Sequence, residues 1–208
     1  MQVGAVIAYA SRTGTKRNLD EIRRAGWRIL VSAKGALRNE GFPYALDNGA
    51  WTAFQRGEAF DVAAFDRAVS LMGAGADWIV VPDRVADSVE SLRMTREWMP
   101  RLAGVAPLLV AVQDGMSIDN VREFLGPKCG VFLGGSTEWK LSTMDYWGKQ
   151  CALVGCWYHV ARVNTVKRIR AAHLARAHSI DGTSASRFAL TTPKLSRAVS
   201  QPPLPNVY

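Results

Sequence analysis

Eight short apolar runs recur along the chain, and most stop at a polar or glycine-bearing exit. They are Val3–Tyr9, Trp27–Ser32, Tyr44–Asp47, Trp78–Pro82, Leu108–Gln113, Gly130–Leu133, Trp157–Val163 and Ser179–Asp181. Most lack the polar alternation of a strand with one wet face, so they read as strands covered on both sides. Between them apolar residues return at helical spacing. Val62–Met72 carries Phe65, Val69 and Met72, and Ser88–Leu102 carries Val89, Leu92, Trp98 and Leu102. Asn18–Ala25, Ile118–Leu125, Thr143–Leu153 and Thr165–Ala177 complete the helical set. Ser88 and Ser117 stand where N-caps are expected. Neither completes a capping box, because Ser91 and Asn120 follow three residues later instead of Glu or Gln. Ser32–Phe42 reads as an irregular crossover.

Strands alternating with helices predict a parallel α/β fold. Eight strands are the number that closes a TIM-type (β/α)8 barrel. With 208 residues the barrel must be compact, with abbreviated helices. The expected organisation is one barrel domain over 1–190 and a C-terminal arm or tail over 191–208, which holds four prolines. A doubly wound open sheet is the alternative architecture.

A composition of 48% hydrophobic and 21% charged residues excludes a disordered or collagen-like chain. No apolar run approaches the roughly 18 residues that span a bilayer, so no membrane partner is expected. The opening MQVGAVIAYASRTG has no basic stretch before its apolar residues and reads as a first strand, not a signal peptide. Cys129, Cys151 and Cys156 are too few and too odd in number for a disulfide framework, which fits a reducing cytoplasm.

Charge changes the picture more. The net charge is +8, unevenly spread. Residues 1–40 are net +5, residues 41–127 net −5, residues 128–158 net +1 and residues 159–208 net +7. Basic ends around an acidic middle suggest a polyanionic partner such as nucleic acid. A merely solvated basic surface is the competing reading.

In a parallel barrel, chemistry collects where the strands end. Six exits carry useful groups: Asp47-Asn48-Gly49, Pro82-Asp83-Arg84, Gln113-Asp114-Gly115, Gly134-Gly135-Ser136, the stretch from His159 to Arg162 and Asn164, and Asp181-Gly182-Thr183-Ser184. Singly, each could be a turn, a cap or a close packing point. Together they would set three carboxylates, a glutamine and a glycine pair around one mouth. Carboxylates sharing a pocket divide labour between nucleophile and proton carrier. An aspartate can trap an oxocarbenium-like carbon covalently. Trp51 and Trp139 flank these exits, and one or the other is expected near the pocket.

The motifs resemble the tRNA-guanine transglycosylase superfamily, whose members exchange guanine for a 7-deazaguanine base on a (β/α)8 barrel. YALDNGAWTAFQ (44–55) is similar to its Asp-Ser-Gly-Gly-Phe-Gln segment, VVPDRV (80–85) to its base-recognising aspartate, and LLVAVQDG (108–115) to its Val-Gln-Gly-Gly segment. VFLGGSTEW (131–139) resembles its Gly-Gly-Leu-Ala-Val-Gly-Glu loop, and 160–184 resembles its final strand–helix–strand. The resemblance implies Asp181 as nucleophile and Asp47 as a proton-handling acid. It implies Asp83 and Gln113 as readers of the base edge, with Gly134 and Gly135 as backbone donors. The family's Cys-x-Cys-x-x-Cys plus His zinc site has no counterpart after Asp181, so no metal and no cofactor are expected. Asp114 and Gly115 stand where the family has two glycines. The compact outline looks more like the DpdA-type 7-deazaguanine DNA transglycosylases, many of them phage-encoded.

The expected partners are therefore DNA and a free 7-deazaguanine base, with a second copy or a helper protein as further candidates. Arg162 and Asn164, with His159 beside them, are expected at sugar or phosphate. The basic helix bearing Lys167, Arg168 and Arg170 is expected along the phosphate backbone. Exchange on tRNA by the same chemistry, a non-catalytic nucleic-acid-binding barrel and a barrel acting on a phosphorylated small molecule are the competing functions.

Overall fold

The computed structural model describes residues 6–187 and 189–201. Eight parallel strands close into a barrel in sequential order. They are β1 (Ile7–Ser11), β2 (Arg28–Ser32), β3 (Tyr44–Asp47), β4 (Ile79–Val80), β5 (Leu108–Val112), β6 (Cys129–Leu133), β7 (Tyr158–Val160) and β8 (Ser179–Gly182). β1 pairs with β8, where Tyr9 stands opposite Asp181, and this seam closes the ring. The open-sheet alternative is excluded. All eight sequence runs appear as strands; the Val3–Ala5 part of the first lies outside the described residues.

The helical wall is uneven. It comprises α1 (Lys16–Arg24), α2 (Ala50–Gln55), α3 (Val62–Met72), α4 (Ser88–Leu102), α5 (Ile118–Val121), α6 (Thr137–Val154), α7 (Val166–Leu174), α8 (Ser184–Arg187) and α9 (Thr192–Ser200). No helix joins β2 to β3, so Ser32–Phe42 is the irregular crossover expected. Lys34 ties it to the segment leading into α3 through ion pairs to Glu58 (3.0 Å) and the N-cap Asp61 (3.1 Å). At the other end of the chain the expected arm is partly a helix. α9 buries Leu195, Ala198 and Val199, and His173 Nε2 lies 3.1 Å from the Ala198 carbonyl. Pro193 sits in its first turn, where a missing N–H is harmless. The other three prolines lie outside the described residues.

Two caps differ from expectation. Asp87, not Ser88, caps α4, accepting from Glu90 N at 3.0 Å. At α5, Asn120 Oδ1 accepts the Ser117 N–H at 2.8 Å, the reach-back normally made by Glu or Gln.

Each strand sorts its side chains by the period of two. Outward residues such as Ile29, Val31, Leu46, Val110, Val131 and Ile180 pack under the helices. Inward residues form a separate cluster of Tyr9, Leu30, Ala45, Trp78, Val80, Leu109 and Ala111, with Phe132 and Trp157 against it. The barrel is thus filled from below by aromatic and aliphatic groups. One step further along the same inward rows stand Ser11, Ser32, Asp47, Gln113 and Asp181. The change from apolar to polar along these rows turns a packed core into a cavity floor.

Candidate active site

The cavity holds about 600 Å3 at the C-terminal ends of the strands. Asp47, Asp83, Gln113, Gly134, Gly135, Arg162, Asn164 and Asp181 all line it. These are the residues expected to converge, and the volume is that of a small-molecule site.

Asp181 is 5% exposed. Its Oδ1 meets His159 Nε2 at 3.0 Å and the Arg162 N–H at 3.1 Å. Its Oδ2 has no hydrogen bond among the described residues. Behind it the donors form a line inside the barrel. Trp157 Nε1 donates to Ser179 Oγ at 2.8 Å, and Ser179 Oγ lies 2.8 Å from His159 Nδ1. Indole only donates, so the serine accepts there and has its own proton for Nδ1. With an ionised Asp181, only this direction avoids a lone pair facing a carboxylate, and Nε2 then carries the histidine proton. Burial pushes His159 below its ordinary pKa, against the pull of Asp181, which keeps the ring neutral. Phe132 stacks on the imidazole at 4.9 Å. His159 therefore braces Asp181 from within the barrel; it is fully buried and does not line the cavity.

Asp47 is half-buried in the cavity wall, where its Oδ2 accepts the Gly49 N–H at 3.1 Å. Burial, and then the charge of Asp181, push its pKa up to about 6. Asp83 is also pushed up to about 6 by burial, opposed by its amide donors and by Arg162. Asn48 Nδ2 donates to Asp83 Oδ1 at 2.7 Å and Gln113 Nε2 to Oδ2 at 2.6 Å. Gln113 Oε1 faces the Ala86 N–H at 3.4 Å. Asp83 and Gln113 are thus a preformed pair, each holding the other in place.

The glycine loop departs from expectation. The Gly134 N–H donates to the Val112 carbonyl at 3.1 Å, so it belongs to the barrel ladder and is not a ligand donor. The Gly135 N–H has no hydrogen bond among the described residues, and its carbonyl accepts from the Arg162 guanidinium. Gly135 has φ +66, and a Cβ there would lie 2.5 Å from the Trp139 ring. Only glycine fits. Asp114 secures the loop by accepting from Ser136 N (2.6 Å) and Ser136 Oγ (2.5 Å).

Arg162 spans the mouth, with its guanidinium 4.1 Å from the Trp51 ring centroid. Trp51 lines the cavity, while Trp139 packs beneath the loop against Trp147. Asn164 Oδ1 accepts from Thr183 N (2.8 Å) and Ser184 N (3.1 Å), so it shapes the exit of β8 rather than offering that oxygen to a ligand. Lys167, Arg168 and Arg170 lie in the first half of α7 and do not line the cavity. Arg12 and Arg187 do.

No family model matches the chain, and no curated protein matches it. The site must therefore be read from its own chemistry. Among the described residues no cluster of three His, Cys, Asp or Glu side chains is placed to hold a metal, and no helix is long and apolar enough to cross a membrane. The cavity is instead divided by charge. Asp47, which ends β3, and Asp83, after β4, face a sector of Arg12 and Arg162, just after β1 and β7, and Arg187, which ends α8. Arg12, Ser32 and Arg187 were not among the sequence candidates, and Asn48 was one only as part of the β3 exit. For Arg12 and Ser32 the signal was available, since both stand at strand exits.

Proposed function

We propose that this chain is a DNA-guanine transglycosylase, exchanging guanine in DNA for a 7-deazaguanine base such as the 7-cyano form. The observation that carries this reading is the state of Asp181. One carboxylate oxygen is held by two donors and the other is unbonded in a cavity shared with two further acids. That is what a covalent double displacement at a sugar carbon requires.

A target nucleotide extruded from the stack would enter the mouth. Asp181 Oδ2 bonds C1′ of the deoxyribose as the C1′–N9 bond breaks and its electron pair leaves with guanine. Asp47, in its acid form, supplies the proton that neutralises the departing base. The incoming 7-deazaguanine gives its N9 proton to the Asp47 carboxylate and bonds C1′ from the face guanine left. The sugar–aspartate bond breaks and Asp181 is restored. A pKa near 6 suits Asp47 to both halves, because both forms are populated near neutrality. The Asp83–Gln113 pair and the Gly135 N–H supply acceptors and donors for a purine-like edge. The arginine sector suits the flanking phosphates.

The test is base exchange on DNA and on tRNA side by side with radiolabelled guanine, with trapping of the covalent adduct. Exchange and an adduct on DNA are the expected result. Label entering tRNA alone would move the substrate to tRNA. Binding of either nucleic acid with no exchange would leave only a binding barrel.

A further inference from the structure

We propose that Lys140 is a positioning residue for Asp181, acting through the peptide bond between Ala161 and Arg162. Lys140 lies on α6 and is 1% exposed. Its Nζ donates to the Ala161 carbonyl at 2.5 Å. The N–H of that same peptide, on Arg162, donates to Asp181 Oδ1 at 3.1 Å. A planar trans peptide points its C=O and N–H in opposite directions. An ammonium at the oxygen and a carboxylate at the hydrogen therefore lie along one dipole, each favoured by the other.

The backbone is bent to make this possible. Arg162 has φ +56, the left-handed conformation that a residue with a Cβ avoids. Such strain persists where the surroundings enforce it. Here Lys140 pulls on one end of the peptide and Asp181 on the other, while the Val163 N–H holds the Asp181 carbonyl at 2.6 Å.

A buried lysine is unfavourable, and an apolar side chain of similar size would ordinarily serve the packing better. Terminating one strand carbonyl does not call for a cation. Aligning and polarising an amide aimed at a carboxylate does. The charged and titratable groups facing Nζ are Arg162, Arg168, Asp181 and His159. Burial, with Arg162 and Arg168, pushes Lys140 down to about 7, so the polarisation fades as pH rises through neutrality. The catalytic consequence rests on Asp181 being the nucleophile; the geometry does not.

The test combines amide NMR with adduct kinetics. In the unmodified protein the Arg162 amide proton should shift with a midpoint near pH 7, together with the Lys140 Nζ resonance. In K140M that titration should vanish, and the single-turnover adduct rate should fall about tenfold or more with KM unchanged. K140R, always charged, should lose the titration but keep most of the rate. An Arg162 amide whose shift is the same in the unmodified protein and in K140M overturns the proposal. An Arg162 amide midpoint that does not follow the Lys140 Nζ resonance assigns the effect to another group and also overturns it. If the unmodified protein forms no adduct, the transglycosylase reading fails while the amide measurement still decides the role of Lys140.

Discussion

Asp47, Asp83 and Asp181 share one cavity, and their neighbours give them different work. Asp181 is braced on one oxygen and open on the other; Asp83 has both oxygens taken by amides; Asp47 keeps one backbone donor and lies beside a like charge. Asp181→Ala should abolish adduct and exchange while the melting temperature stays within a few degrees of the parent, measured by trapping and by thermal unfolding. Asp47 yields a signed prediction. Its folded pKa of about 6 lies above the ordinary 3.8, so the folded state holds the proton longer and stability falls as pH rises from about 4 through 6. Asp47→Asn should therefore raise stability at pH 7–8, by an amount on the order of 2–3 kcal/mol from the shift, and leave it nearly unchanged at pH 4. The same substitution should slow base return at least a hundredfold in single turnover. The site's acids were legible in the sequence because each follows an apolar run. What they bond to was not. Nothing in the spacing tells that Gln113 faces Asp83, that the Gly134 N–H is spent on the ladder, or that His159 stands behind Asp181. Those depend on register between strands distant in sequence.

Among the helices the pattern does mark, α6 starts well ahead of its apolar rhythm. The apolar rhythm begins the helix at Thr143, whereas it starts at Thr137 behind Ser136. The first turn is obscured because its most buried position is a lysine, which counts as polar in any periodicity. Gly148, in the middle of this helix, gives a test of packing against propensity. Glycine to alanine in a helix interior ordinarily gains about 1 kcal/mol. A Cβ here would lie 1.9 Å from the Ala175 carbonyl, a backbone atom that cannot turn aside. Gly148→Ala should therefore destabilise, by about 2 kcal/mol or more, in chemical unfolding. The strands were the most legible elements, since β3 spans the same residues as its apolar run. α2, α8 and α9 were not read as helices at all. The first two are only six and four residues long, too short for a period of 3.6 to register.

For the whole molecule, closure of β1 on β8 brings the two basic ends of the chain together. The excess charges of residues 1–40 and 159–208 become one sector, and the acidic middle becomes the opposite wall. Linear charge counting suggests a polyanion partner and, with the resemblance, puts its contacts on Arg162, Asn164 and the basic helix, without Arg12 or Arg187. DNA affinity should fall steeply with salt, and Arg12→Ala or Arg187→Ala should each reduce the slope of log affinity against log salt by about one, read by fluorescence anisotropy. An unchanged slope in both would assign the contact to α7 instead. The missing helix between β2 and β3 bears on how the barrel assembles. Residues paired across these strands, such as Ile29 and Tyr44, are fifteen apart, the shortest span of any neighbouring pair and shorter than the nineteen between Tyr9 and Arg28. Loop-closure entropy makes this the least costly parallel pairing to form. The ring should accordingly start growing there, with truncations at Val31 and Leu46 slowing refolding more than truncations at Val131 and Val160 across the barrel, where partners lie twenty-seven residues apart.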